Sequence, residues 1–152
     1  ADNRKALSPQ EKRELQLKEF AEAKKNNFGF RDVRMLTGKV GYLHFTSFEN
    51  PEWTAETLAN AMNFLSNTDA LIIDLRNNTG GYSELAQILC SYFFNPNDSF
   101  VMPLFEINLR DKGKNILIQQ NILTSVQGKK MLNQDLYILT NYRSFSAAEW
   151  TS

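Results

Sequence analysis

The 152-residue sequence has one cysteine and one histidine, and these two scarcities remove several kinds of chemistry at once. With Cys90 alone there is no internal disulfide and no CxxC pair for zinc or redox work. With His44 alone there is no multi-histidine metal site. Charge of either sign is not in surplus: Lys plus Arg and Asp plus Glu both number 17, for a formal net charge of zero. A nucleic-acid binder ordinarily carries excess basic charge to neutralise phosphates, so no nucleic-acid partner is expected, and no polybasic membrane surface either. No apolar run is long enough to span a bilayer, and Ala1 opens a polar segment without a signal-peptide pattern. An exported protein after processing would read the same way. The P-loop, GxGxxG and HExxH patterns are absent, so the expectation is no nucleotide, no cofactor and no metal.

What remains is an ordinary globular composition, 42% hydrophobic and 22% charged, in a chain long enough for one domain with a real core. Residues 8–25 predict a helix capped by Ser8, with Pro9 in its first turn and Glu11 completing a Ser-x-x-Glu box. Its apolar stripe of Leu15, Leu17 and Phe20 is thin, so it needs a partner. Val33–Leu36 and Lys39–Phe45, joined at Thr37-Gly38, predict a hairpin. A helix follows from Pro51 to about Leu65. Ala70–Leu75 is a continuous apolar run of the kind buried in a parallel sheet. Helical spacing returns from Ser83 to Phe94, and Asn95–Asp98 ends that helix. Val101–Arg110 and Asn115–Leu123 predict a second hairpin around Asp111-Lys112-Gly113-Lys114. Leu136–Thr140 is a last short strand, and Ser146–Trp150 opens a helix. Strands separated by helical crossovers predict an α/β layered fold with a mainly parallel sheet. Cys90, inside an apolar helical run, reads as a buried inert thiol.

In such sheets chemistry collects beyond the carboxyl ends of the strands, and two segments stand there. Asp74-Leu75-Arg76-Asn77-Asn78-Thr79-Gly80-Gly81 leaves a buried strand for a helix. Its paired glycines let backbone N–H groups face a ligand without a Cβ in the way, although a turn needing glycine for geometry alone would look identical. Asn141-Tyr142-Arg143-Ser144-Phe145-Ser146-Ala147-Ala148-Glu149 makes a second strand-to-helix turn. A serine there exposes its hydroxyl, with the next N–H pointing at the same space. Ser146 and Glu149 also match a Ser-x-x-Glu capping box, and from spacing alone capping is the better reading.

The pairing of the two segments resembles the C-terminal-processing (tail-specific) protease family, in the branch of the interphotoreceptor retinoid-binding protein repeats and tricorn-core-type peptidases. Val40–Phe45, Thr68–Arg76 and Leu136–Thr140 resemble that branch in order and spacing, over roughly residues 28–150. The resemblance implies a crotonase-like ββα core with an inserted β-hairpin. Residues 28–152 are then the protease core, cut short on its C-terminal side, and residues 1–27 the remnant of an upstream helical domain. It implies a serine endopeptidase with Ser146 as nucleophile and an oxyanion hole from the N–H groups of Ala147 and of Gly80 or Gly81. Ser144 is then a turn or capping residue. The resemblance also implies an extracytoplasmic bacterial protein and a peptide or protein substrate. From the residues themselves, Arg76 reads as a loop tie rather than a substrate ligand, and Tyr82 and Phe145 either line a substrate pocket or pack as aromatic core.

A serine hydroxyl needs a base within hydrogen-bond reach. The family supplies a lysine downstream of the serine, or a histidine upstream in an Asp-x-His segment. Six residues follow Ser146, none of them Lys, and there is no Asp-x-His. His44, at a polar position of its strand, is expected to be structural or solvent-facing. The 152 residues by themselves are therefore expected to be inactive, with the base supplied by flanking segments. A catalytically degenerate module that binds peptide or an apolar ligand is the alternative, and an acyl-CoA-handling enzyme a more distant one. An uncovered sheet edge or helix face would be the place for self-association.

Overall fold

The computed structural model describes residues 7–95, 97, 103–111 and 113–152. The first helix, α1 (Pro9–Lys25), has the predicted cap: the Ser8 N–H donates to Glu11 Oε2 at 2.7 Å and the Glu11 N–H to Ser8 Oγ at 3.3 Å. Only Ala23 is buried along it. Phe20 holds it to the rest, its ring 5.6 Å from Phe28 and edge-on to Trp53 at 5.3 Å.

The sheet follows the predicted order. Strands β1 (Phe30–Leu36) and β2 (Val40–Phe45) form the antiparallel hairpin, and α2 (Pro51–Leu65) crosses over to β3 (Ala70–Asp74). The order β1-β2-β3 then takes up β6 (Asp135–Leu139) beside β3, with β2, β3 and β6 parallel. Helix α3 (Ser83–Ser91) packs on the same face as α2. It stops three residues short of the predicted Phe94, because Tyr92 is drawn into tertiary contacts. The Tyr92 hydroxyl donates to Gln127 O at 2.6 Å, and its carbonyl accepts from the Met131 N–H at 2.7 Å. The inserted hairpin is β4 (Pro103–Asp111) with β5 (Lys114–Asn121), a separate two-stranded sheet. Val101, Met102 and Lys112, and with Pro96 and Asp98 part of the predicted helix stop, lie outside the described residues. The last helix is α4 (Ala147–Thr151).

Alternation in the strands decides which face is core. Leu43, Phe45, Leu71 and Ile73 point to one side, where Leu58, Met62 and Leu65 of α2 and Leu85 and Leu89 of α3 bury them completely or nearly so. The neighbouring positions Tyr42, Ile72 and Tyr137 point to the other side, which stays partly open: Tyr137 is 56% exposed. His44 leaves on that side as well, as its alternation with Leu43 and Phe45 predicts. Cys90 is half-buried rather than fully enclosed, yet burial still pushes its thiol up to about 11, so it is not a thiolate at neutral pH.

Candidate active site

The three parallel strands end at the same edge of the sheet, and their outgoing loops meet there. Parallel pairing continues one step past β3, where the Leu75 N–H donates to Leu139 O at 2.8 Å. Asp74, the last residue of β3, is 1% exposed and carries a charge. Arg76 neutralises it through Nη2 at 2.6 Å and Nε at 2.9 Å, and the Tyr42 hydroxyl adds a third bond at 2.7 Å. The Arg76 hydrogen bonds are the main reason the Asp74 carboxyl titrates well below the usual range, against the opposing effect of burial. Arg76 is thus a loop tie.

The sign of this shift gives a prediction. A depressed carboxyl stabilises the fold above its unfolded value and loses that contribution as pH falls through the folded value. Removing the guanidinium lets the folded value rise, so Arg76→Ala should move the acid-unfolding midpoint to higher pH. At neutral pH the urea midpoint should fall only modestly, because the Arg76 side chain is 52% exposed and solvent screens its charge. Acid and urea titrations followed by circular dichroism read both effects.

The two loops are clasped side by side. Asn77, with φ 61°, turns the chain, and its N–H donates to Asn141 Oδ1 at 3.0 Å while Asn141 Nδ2 donates back at 3.2 Å. Ser144 Oγ donates to Leu75 O at 2.9 Å and accepts from the Asn141 N–H at 2.9 Å. The Phe145 N–H donates to Asn78 O at 3.0 Å. Ser144 is therefore a clasp between loops as well as a turn residue. Sequence pattern alone does not pick out Asn78 or Asn141: the pair Asn77-Asn78 between β3 and the glycines does not say which one turns inward, and Asn141 stands alone after β6.

The clasp sets Gly80 against Ser146. A Cβ on Gly80 would lie 2.5 Å from Phe145 O, 2.8 Å from Ser146 Cβ and 3.1 Å from Ala147 N. Gly80, Ser146 and Ala147 are thus brought together from segments distant in sequence. Gly81 faces the neighbouring loop instead: its Cβ would run into the Phe48 carbonyl. The Gly80 N–H donates to Asn78 Oδ1 at 2.9 Å, whereas the N–H groups of Gly81 and Ala147 have no acceptor among the described residues. Tyr82 and Phe145 are 42% and 66% exposed.

Ser146 differs from a helix cap in its backbone. Ser8 caps α1 with φ −64° and ψ 160°, the extended conformation usual for a cap. Ser146 has the same Ser-x-x-Glu context but φ 54° and ψ −117°, a region L-residues avoid at a cost of about 1–3 kcal/mol. The Glu149 carboxylate accepts from the Ser146 N–H at 2.8 Å in the capping-box arrangement, but the Glu149 N–H donates to Ser146 O at 2.9 Å and makes no cap bond to the Ser146 hydroxyl. The strained turn leaves that hydroxyl half-buried at the loop junction. His44 sits beside Tyr42, ring centroids 6.5 Å apart, without a bond to Ser146. Lys130 spends its ammonium on the carbonyls of Phe94 and Leu123, beyond the end of α3 away from the glycine loop. A cleft of about 610 Å³ separates α1 from the glycine loop, with Trp53, Thr79 and Tyr82 in its wall.

Residues 39–152 match the model of peptidase family S41. The chain belongs to that family. Solved structures share the fold at low sequence identity. An S41 protease from Bacteroides fragilis superposes with a TM-score of 0.58 at 21% identity, over 80% of this chain and 33% of that one. The photosystem II D1 C-terminal processing protease gives 0.54 at 19% identity, over 77% and 28%. A lipoprotein from Streptococcus agalactiae gives 0.52 at 20% identity, over 85% and 47%. The S41 chain therefore spans less than half the length of each of these relatives. Its fold is a mixed α/β fold with a mainly parallel sheet, consistent with a crotonase-like core, and the family is one of peptidases.

Proposed function

We propose that this S41 chain carries the core of a serine endopeptidase of the C-terminal-processing type, acting on peptide or protein substrates with Ser146 as nucleophile. The observation that carries the reading is the Ser146 backbone, held at φ 54° and ψ −117° in a motif that elsewhere in the same chain makes an unstrained cap. Strain of this kind persists only where surrounding structure enforces it, and it collects at functional sites. In the proposed reaction, Ser146 Oγ bonds to the peptide carbonyl carbon and its proton passes to the base. The carbonyl electron pair moves onto oxygen, facing the Ala147 N–H and the Gly80-Gly81 loop. Collapse breaks the C–N bond, the amine leaves with a proton, and water then hydrolyses the acyl-enzyme ester.

The division into a helical segment, residues 1–27, and a core, residues 28–152, belongs to the same proposal, as does a general base supplied from outside these 152 residues. The greater length of the solved relatives supports it. Tyr82 is proposed to contact substrate because it lines the cleft beside the glycine loop, and Phe145 because its exposed ring adjoins the nucleophile. An extracytoplasmic location is supported by the streptococcal lipoprotein relative; among the described residues no helix is long and apolar enough to cross a membrane.

A fluorophosphonate probe tests the reading on the full-length protein. Mass spectrometry should place the adduct on Ser146 and not on Ser144, whose hydroxyl is engaged with Leu75 and Asn141. A folded full-length protein that stays unlabelled while binding peptide would favour the catalytically degenerate module instead.

A further inference from the structure

We propose that Asn78 is a positioning residue for this reaction, one that keeps the glycine loop in register with the nucleophile; the proposal rests on the serine-peptidase reading above. Asn78 is fully buried, at 0% exposure, and every polar group it owns is engaged. Its Oδ1 accepts from the Gly80 N–H at 2.9 Å and its Nδ2 donates to Phe45 O at 2.9 Å. Its own N–H donates to Leu75 O at 3.0 Å, and its carbonyl accepts from the Phe145 N–H at 3.0 Å. These partners belong to three strand ends: Phe45 closes β2, Leu75 follows β3, and Phe145 precedes the nucleophile after β6.

The chemistry explains why a carboxamide stands here. An N–H can only donate and a carbonyl can only accept, so Gly80 and Phe45 together require one acceptor and one donor on a single planar group. Asparagine supplies both in one orientation. An ionised aspartate keeps the acceptor and loses the donor; alanine loses both and leaves two buried backbone groups without partners. The same contact decides which N–H groups face outward. The Gly80 N–H is held inward on Oδ1, whereas those of Gly81 and Ala147 stay without acceptors among the described residues. Because the Gly80 Cα lies against Ser146 and the Ala147 N–H, a shift of Gly80 is passed directly to the reacting atoms.

Two variants of the full-length protein test this. Asn78→Ala should slow fluorophosphonate labelling of Ser146 by about 10²-fold, the usual effect of misplacing reacting groups by about 1 Å. Asn78→Asp guards against simple misfolding. Its second oxygen would face the Phe45 carbonyl in a buried site, which raises its pKa, and protonation would restore an O–H donor. Its labelling rate relative to wild type should therefore rise as pH falls from about 8 to about 5, a profile that a general loss of stability would not give. Amide hydrogen exchange supplies a readout free of activity: Gly80 and Phe145 should lose protection in Asn78→Ala while Leu43 and Ile73 keep theirs. Wild-type labelling with Gly80 still protected in a folded Asn78→Ala protein would overturn the proposal. Loss of loop protection in a protein whose wild type is never labelled would sink the peptidase reading while upholding the hold of Asn78 on the loop.

Discussion

Ser146→Ala is expected to lower peptide hydrolysis by the full-length protein about 10⁴–10⁶-fold, with KM nearly unchanged, because on the proposed reading it removes the attacking atom and nothing that holds substrate. Stability separates this role from capping. If Ser146 were a conventional cap, loss of its hydroxyl would destabilise the fold by about 1 kcal/mol, as at Ser8. Here the Glu149 N–H donates to Ser146 O at 2.9 Å instead of to the hydroxyl, so Ser146→Ala should leave the urea midpoint almost where it was. Ser146→Gly should be the more informative change. Glycine accepts φ 54° and ψ −117° without the Cβ penalty, and after its extra unfolded-state entropy is deducted it should be about 1 kcal/mol more stable than Ser146→Ala. An inactive protein that gains stability at its nucleophile is the signature of strain held for function. A Ser146→Gly protein less stable than Ser146→Ala would mean that the turn is not strained.

Gly80→Ala is expected to damage activity as well, less than loss of the Ser146 hydroxyl, and chiefly through space. The added methyl would lie 2.5 Å from Phe145 O and 3.1 Å from Ala147 N, and these are backbone atoms that cannot swing aside. The loops must part, taking the Ala147 N–H and the serine out of register, so kcat should fall about 10²–10³-fold or more. Stability should fall by about 1–3 kcal/mol from overpacking. Gly38→Ala is the control. It has the same φ, 79°, but nothing lies within 4 Å of the new Cβ. It should show the backbone penalty of about 1 kcal/mol with activity unchanged. Comparing urea midpoints and kcat for the two variants isolates the contact from the dihedral.

Much of the scaffold was legible because local rules agreed with the final packing. The α1 cap follows from Ser8, Pro9 and Glu11, all within one turn. The alternation around Leu43 and Phe45 marks the core face of β2, whereas the continuous apolar run at Ala70–Leu75 hides a similar alternation in β3: Leu71 and Ile73 are buried while Ala70 and Ile72 stay partly exposed. The apolar spacing of Tyr92, Phe93 and Phe94 extends the helical pattern three residues beyond the end of α3 at Ser91. What ends it is a contact with residues 127 and 131, and no local signal carries that. At the site, residue types pointed to the glycines and the serine, but the role of Asn78 rests on three strand ends meeting. Asn77 and Asn78 are adjacent and identical in type, yet one turns the chain at the surface and the other is sealed inside.

By itself, then, the sequence determined that Cys90 has no disulfide partner within these residues, the order of strands and helices, and the two loops that leave the sheet at its carboxyl edge. These depend on composition, periodicity and spacing, which are properties of the chain alone. Only the tertiary structure decided that Ser146 is not a second Ser8. The two share a Ser-x-x-Glu motif, so local propensity cannot distinguish them. The difference is imposed by the Asn77–Asn141 clasp, the Ser144 and Phe145 bonds and the close seat of Gly80, which together force a backbone conformation that no single segment would adopt.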